Sequence, residues 1–388
     1  MNRALIPVLM AVVLDLVGFG IVIPLLTFYA ELYQAGPMEV TLLMAVYSLA
    51  QFLMAPVWGA MSDRIGRRPV MLLSLTMATV CLAGFAWAQS LWLLFLFRTL
   101  HGAAAANIST AQACVADLTT PENRARGMGL IGAAFGFGFT VGPFIGGELS
   151  AYGLAFPIWV AAGLAAINLV LAIFLLPETK APDTVRAQRT LDPRSFVRVI
   201  GHPVVGLCIL LTFVMTVAFA VMEGTFTLFA EHERALDAVA VGRMFGVAGL
   251  VMIVVQGGLV GRLVKAYGEA RLVPVGLALL VVGLALLPFA PPPGAMVGVF
   301  AIIAVGQGIA SPSLYSLISR GTSPGEQGFV LGTNQSMSAL ARAVGPTLGG
   351  GLYLTGPAHP FLASAAVLTL SLPLAMLAVA RWTRAQGT

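Results

Sequence analysis

Three ionisable side chains stand inside otherwise apolar runs: Asp15, Arg98 and Glu223. An ionised group in mid-membrane costs roughly 3 kcal/mol or more, so each needs a use or a compensation. A carboxylate whose surroundings alternate between dry and cationic changes its proton affinity with conformation, and can therefore pick up and release protons. Asp15, about midway along the first run, and Glu223, in the outer half of the seventh, are the candidates for proton coupling. Arg98, in the fourth run, would control a carboxylate's charge state. The structural alternatives are a hydrogen-bond anchor at Asp15 and a fixed ion pair at Arg98.

A second constellation is the block Gly59-Ala-Met-Ser-Asp63-Arg64-Ile-Gly66-Arg67-Arg68, between two long apolar runs. Charge this dense sits poorly in hydrocarbon, so it predicts a tight loop at a membrane face, and its arginines mark that face as cytoplasmic. A third is Gly138, Gly142, Gly146 and Gly147, mostly on one helical face at four-residue spacing. Small residues there let helices approach closely, and Pro143 removes a backbone hydrogen bond and favours a bend. The pattern predicts a tight hinge, with simple close packing as the alternative.

Uncharged amides in the runs suit a cavity that tolerates varied ligands. The candidates are Asn107, Gln112, Gln256, Gln307, Asn334 and Gln335. Arg342, three residues before a second Gly-Pro motif, is weighed as a substrate contact against an interhelical hydrogen bond. His101 reads as an interhelical hydrogen-bonding group. No second histidine stands at ligand spacing, so no metal site is expected.

The elements that must position these residues follow from composition. The 388 residues are 59% hydrophobic and 10% charged, against about 25% charged in soluble domains. Lipid is the natural solvent for such a chain. Twelve apolar runs long enough to cross a bilayer centre near residues 17, 50, 79, 104, 139, 167, 215, 251, 280, 307, 340 and 370. The fourth, read as one helix, puts Arg98 about 28 Å from Asp117 at about 1.5 Å per residue. The longest connector, from about Glu178 to His202, splits the runs six plus six and predicts bundles at 1–178 and 203–388 joined by a linker at 179–202.

With the N-terminus inside, most of the 21 basic residues fall on the cytoplasmic side, as the positive-inside rule asks. Arg234 and Arg243 fall outside. Both termini are then cytoplasmic, and the first run is read as a retained span in the inner (plasma) membrane. Cys81, Cys114 and Cys208 are far apart in apolar runs and predict no disulfide framework. No basic cluster is interleaved with aromatics, so nucleic acid is not an expected partner. No Gly-x-x-x-x-Gly-Lys-Ser/Thr phosphate loop calls for ATP. No nucleophile, base or metal constellation suggests an enzyme, and no cofactor is expected.

The halves repeat. Gly142-Pro143-Phe-Ile-Gly146-Gly147 matches Gly345-Pro346-Thr-Leu-Gly349-Gly350, and the Gly59–Arg68 block has a weaker echo running from Gly258 to Arg271. Internal repeats in a membrane chain suggest two bundles rocking about a site near the midplane.

These motifs, together with Asp15-Leu-Val-Gly18-Phe-Gly20-Ile-Val-Ile-Pro24, Arg98-Thr-Leu-His101-Gly102, Ala116-Asp117-Leu-Thr and Leu176-Pro177-Glu178, carry a family resemblance. The chain resembles the twelve-helix drug/proton antiporters of the major facilitator superfamily, most closely the tetracycline-efflux type. The resemblance implies an all-α integral membrane fold of twelve transmembrane helices in two six-helix bundles with pseudo-twofold symmetry. It implies proton-coupled export of small amphipathic or drug-like molecules by alternating access, as a monomer, with a metabolite or sugar effluxer as the same-family alternative. A lipid-handling or receptor-like protein is the alternative from another class. The resemblance further implies that Asp63 caps the eleventh helix and that Arg67 pairs with Asp117, latching the outward-open state. The chain departs from tetracycline exporters in having no acid in its ninth run, and none in its third.

Overall fold

The computed structural model describes residues 4–105, 107–119, 121–179, 199–323 and 326–386. Among them every regular element is helical, and nine helices are long and apolar enough to cross a membrane. The expected basic connector at Lys180–Arg198 lies outside the described residues. The chain divides into two compact units, Met1–Asp183 with Ala230–Gly249 and Thr184–Phe229 with Leu250–Thr388.

The first unit holds α1 (Leu5–Val22), α2 (Leu25–Glu31), α3 (Pro37–Ile65), α4 (Arg67–Trp87), α5 (Leu91–Ala104), α6 (Asn107–Leu118), α7 (Pro121–Ser150) and α8 (Phe156–Leu175). Next come α9 (Val205–Arg234) and α10 (Ala238–Val254), whose residues 230–249 belong to the first unit. The second unit continues with a π-helical turn (Val255–Leu259), α11 (Val260–Tyr267), α12 (Glu269–Leu286), α13 (Gly294–Arg320), α14 (Gln327–Thr355) and α15 (His359–Gln386). Large apolar side chains stay uncovered on the helix exteriors, Trp92 and Phe174 among them. Lipid would cover such a surface; water would not.

Three of the apolar runs are not single helices. The first breaks between Val22 and Leu25 at Pro24, which lacks the N–H a continuing helix would use. The eighth contains the π-helical turn, where two glycines relax side-chain constraint. The fourth ends at Ala104, with Ala105 at φ −72°, ψ 58°, and restarts at Asn107. This corrects the reading of a continuous helix from Arg98 to Asp117. The break costs helical hydrogen bonds, and side chains replace them. Trp58 Nε1 donates to the Ala103 carbonyl at 2.6 Å, and Ser74 Oγ donates to the Ala104 carbonyl.

One close helix approach in the first unit is built on α7. A Cβ on Gly142 would lie 2.6 Å from the Gly20 Cα, and one on Gly138 would lie 2.5 Å from the Leu16 Cβ. A Cβ on Gly146 would strike the Ile21 carbonyl. Gly147 performs the same service on the other side of α7, where its added Cβ would lie 2.7 Å from the Gly242 Cα of α10. Pro143 is buried inside α7 between the two seams. The second unit repeats the arrangement, with Gly345 against Ala220 and Gly349 against Thr225 of α9. Gly142→Ala is therefore expected to destabilise by about 1–3 kcal/mol through overpacking. Gly163→Ala, with nothing within 4 Å of its added methyl, should leave the melting temperature in detergent unchanged. Equal melting temperatures for the two variants would remove the tight seam.

Candidate functional site

The α3–α4 junction is one charged knot. Gly66 turns the chain at φ +108°, a conformation that L side chains rarely adopt. Helix α4 restarts at once, leaving its first N–H groups without helical partners. Glu178, just beyond α8, takes two of them: Arg67 N–H at 2.9 Å and Arg68 N–H at 3.2 Å. A negative charge at a helix N-terminus also meets the positive end of the helix dipole. The Arg67 side chain is buried and tied down three ways. Nε donates to Asp117 at 3.2 Å, Nη1 to Ser62 Oγ at 2.6 Å, and Nη2 pairs with Asp63 at 2.6 Å. Arg68 reaches back to the Ile173 carbonyl at 2.7 Å, near the end of α8. Asp63 is 61% exposed. Arg64 is exposed, and the space around Gly59 is open.

Glu178 and Ser62 are contributors that sequence reasoning missed. The available signal was an acid directly following Leu176-Pro177 at the end of an apolar run, near a basic helix start. Glu178→Gln removes the charge and one acceptor. The expected cost is about 1 kcal/mol, read as faster hydrogen exchange at the amides of residues 67 and 68. Unchanged protection there would show that the carboxylate caps nothing.

The second unit carries a charge-reversed counterpart. Gly268 turns at φ +77°, and α12 opens on Glu269. Glu269 accepts from Arg320 Nη1 at 2.8 and 2.9 Å and from Ser316 Oγ at 3.0 Å. Where the first unit sets Arg67 on the turn and Asp117 on the neighbouring helix, the second sets the acid on the turn and the arginine on α13.

The intramembrane charges are handled differently. Arg98 is 2% exposed and lies over two aromatic rings, 4.6 Å from the Tyr47 centroid and 5.2 Å from that of Phe19. Phe19 in turn stacks on Tyr47 at 4.8 Å and Phe139 at 5.8 Å, and His101 meets Tyr47 at 5.2 Å. Cation–π contact is strongest where water is excluded. Asp15 is half-buried and precedes Phe19 by four residues, one turn along the same face of α1. Asn168 anchors the preceding turn, donating to the Ala11 carbonyl at 2.8 Å. Glu223 is half-buried in the second unit, next to Gly224, whose added Cβ would lie 3.1 Å from Pro346.

The second unit also gathers a polar face. Asn334, Ser338 and Arg342 recur at four-residue spacing on α14, as Gln307, Ser311 and Tyr315 do on α13. Such spacing puts each set on one side of its helix. The Tyr315 hydroxyl donates to Gln335 Oε1 at 3.4 Å, and Ser338, Asn334 and Arg342 lie against the same tyrosine. Asn334 is fully buried against the Tyr315 hydroxyl, and Gln307 Oε1 is buried without a hydrogen bond among the described residues. Polar groups gathered on one side of two otherwise apolar helices suit a cavity that orients a ligand. Tyr315 and Ser338 were missed by counting amides alone.

Other candidates fall elsewhere. Gln256 is exposed on the π-helical turn, Gln112 is half-buried on α6, and the side chain of Asn107 lies outside the described residues. Glu148, at the end of the glycine series, is ion-paired with Arg243 through both carboxylate oxygens.

Residues 8–346, and again 257–386, match the Major Facilitator Superfamily. The chain belongs to that superfamily. Its helices form the superfamily's fold, and it is a multi-pass membrane transporter. Among its facilitator relatives is the class C tetracycline resistance protein of Escherichia coli, 33% identical across 100% of this chain and 99% of that protein. The multidrug resistance protein 2 of Bacillus subtilis (strain 168) is 28% identical over 93% of this chain and 91% of its own. Among solved facilitator structures, the human organic anion transporter MFSD10 (TETRAN) superposes with a TM-score of 0.74 at 29% identity, covering 96% of this chain and 99% of that one.

Proposed function

We propose that this facilitator exports small amphipathic or drug-like molecules in exchange for protons, by alternating access of two six-helix bundles at 1–178 and 203–388. The observation that carries the proposal is Arg98, buried over Phe19 and Tyr47, with Asp15 one turn from Phe19 on α1. A buried cation near an intramembrane acid is the means by which a change of shape becomes a change of proton affinity. Asp15 and Glu223 carry the protons, and Arg98 sets the charge state of Asp15. The knot of Asp63, Arg67 and Asp117 latches one end state, and the glycine seam of α7 acts as the hinge. Cargo rests on the polar face of α13 and α14. The protein works as a monomer in the inner membrane with both termini cytoplasmic.

The test is efflux in everted vesicles under an imposed pH gradient, with a panel of lipophilic cations, neutral drugs and organic anions. Uptake that collapses on adding an uncoupler supports the exchange. Flux indifferent to the uncoupler rejects it. Arg342 beside Tyr315 favours a second reading, an anionic cargo. Arg342→Gln would then depress transport of anions while leaving that of cations in place.

A further inference from the structure

Far from the charged knot, at the other end of the 29-residue helix α3, the first unit brings together three potential metal ligands. Glu31 closes α2, and Glu231 and His232 lie in the last turn of α9. One ligand atom from each falls within 4.8 Å of the other two, and His232 Nε2 stands 2.9 Å from Glu31 Oε1. All three belong to the first unit. The sequence showed no such set, because 200 residues separate Glu31 from Glu231 and His232 has no histidine near it.

The cluster is more than a surface pair of acids. Oε2 of Glu231 is buried from solvent, although the side chain as a whole is half-buried, and its carboxyl group lies within hydrogen-bonding reach of the Glu31 carboxyl. The same side chain lines a cavity of about 480 Å³, walled by Phe28, Ala151, Leu154, Leu236 and Val239. Glu31 is 21% and His232 40% exposed, so an ion can reach them without the protein opening. Two carboxyl groups this close repel when both are ionised, so either a shared proton or a bound cation must lie between them. An imidazole beside two carboxylates narrows the choice of charge. Magnesium and calcium prefer oxygen alone, whereas zinc and its first-row neighbours accept one nitrogen with two oxygens. In a tetrahedral zinc site at about 2.0–2.2 Å, ligand atoms sit roughly 3.3 Å apart. The histidine–Glu31 pair is slightly closer than that, and the widest separation needs a small side-chain rotation.

We propose that Glu31, Glu231 and His232 form a binding site for a divalent transition cation of the zinc type. Bound there, the ion would tie the end of α2 to residues 231–232. The site stands apart from the proton-coupling residues and does not depend on what is exported.

The probe is Zn²⁺, titrated into the full-length, tag-free protein in detergent by calorimetry and by competition with a chromophoric chelator. One saturable site is expected, not displaced by excess Mg²⁺. Glu31→Gln, Glu231→Gln and His232→Ala should each weaken it at least about tenfold, equivalent to about 1.4 kcal/mol. His232→Cys should restore affinity and shift preference toward Cd²⁺, since thiolate is the softer ligand. That gain cannot come from a merely structural histidine. Variants are compared at matched helical content and elution volume, so misfolding does not imitate loss of the ligand. Zn²⁺ affinity unchanged in Glu231→Gln and His232→Ala would overturn the site and place the binding at another histidine. So would a His232→Cys variant that behaves like His232→Ala.

Discussion

Asp15→Asn is expected to cut pH-gradient-driven efflux in everted vesicles at least about tenfold, a barrier change of about 1.4 kcal/mol. Asparagine keeps the size and the hydrogen-bonding capacity of the side chain but cannot exchange a proton. If Asp15 were only an anchor on α1, the amide would serve nearly as well, so the variant separates the two roles. Substrate exchange with no pH gradient should persist in Asp15→Asn, because cargo moves both ways without net proton flow. Arg98→Gln should shift the pH dependence of transport while leaving exchange measurable. Its guanidinium sits over Phe19 and Tyr47, and Asp15 lies one turn from Phe19 on α1, so removing the charge tests the proposed influence of Arg98 on that acid. Wild-type uphill rates from Asp15→Asn and Glu223→Gln alike would end the proton-coupling proposal.

Arg67→Ala carries the largest expected loss of stability. It strips three side-chain interactions from a residue that is 4% exposed. Asp117 loses its guanidinium partner in a site 11% open to solvent. Removing one member of a buried pair costs about 3–5 kcal/mol, chiefly because the other charge stays behind. The measurement is the melting temperature of the purified protein in detergent. Arg67→Lys should recover only part of the loss, since an ammonium is a point charge without the guanidinium's fork. Equal melting temperatures for Arg67→Ala and the unaltered protein would mean that water already screens the knot. A double variant with Asp117→Asn should lose less than the sum of the two single changes, because the stranded charge is then gone.

Helix type and the membrane setting were legible in the sequence because apolar runs of that length have few other outcomes. The glycine series on α7 was also legible as a packing face. Its second side was not. Gly147 meets Gly242, and Thr140 meets Gly249, on a helix nearly a hundred residues later. Periodicity within one helix cannot name its neighbours. The broken fourth run was invisible for a related reason. Its Ala-rich stretch has no proline to announce a stop, and the break persists because Trp58 and Ser74, from two other helices, supply the missing donors.

The charged block from Gly59 to Arg68 was expected as a loop, but α3 continues through Ile65 and α4 starts at Arg67, because the positive φ of Gly66 alone makes the turn; Glu178 escaped. Its role depends on α8 ending beside the start of α4, which no local pattern encodes. The polar face of the second unit was half-visible, because uncharged amides stood out and Tyr315 did not. An aromatic ring in an apolar helix looks like lipid-facing bulk until the residues of the next helix are seen against it.

The glycine seams have a consequence for how such a protein can diversify. At Gly20, Gly138, Gly142, Gly146, Gly147 and Gly242 the added methyl group of alanine already meets a facing backbone or side chain. Every replacement that a single base change can make there adds at least a methyl group, so drift at those codons is confined to silent changes. Gln307, Ser311, Tyr315 and Ser338 already carry side chains, so a replacement there does not have to open a backbone-to-backbone contact. If cargo rests on α13 and α14 as proposed, selection for a new cargo would leave its record there, while the glycine seams stay frozen.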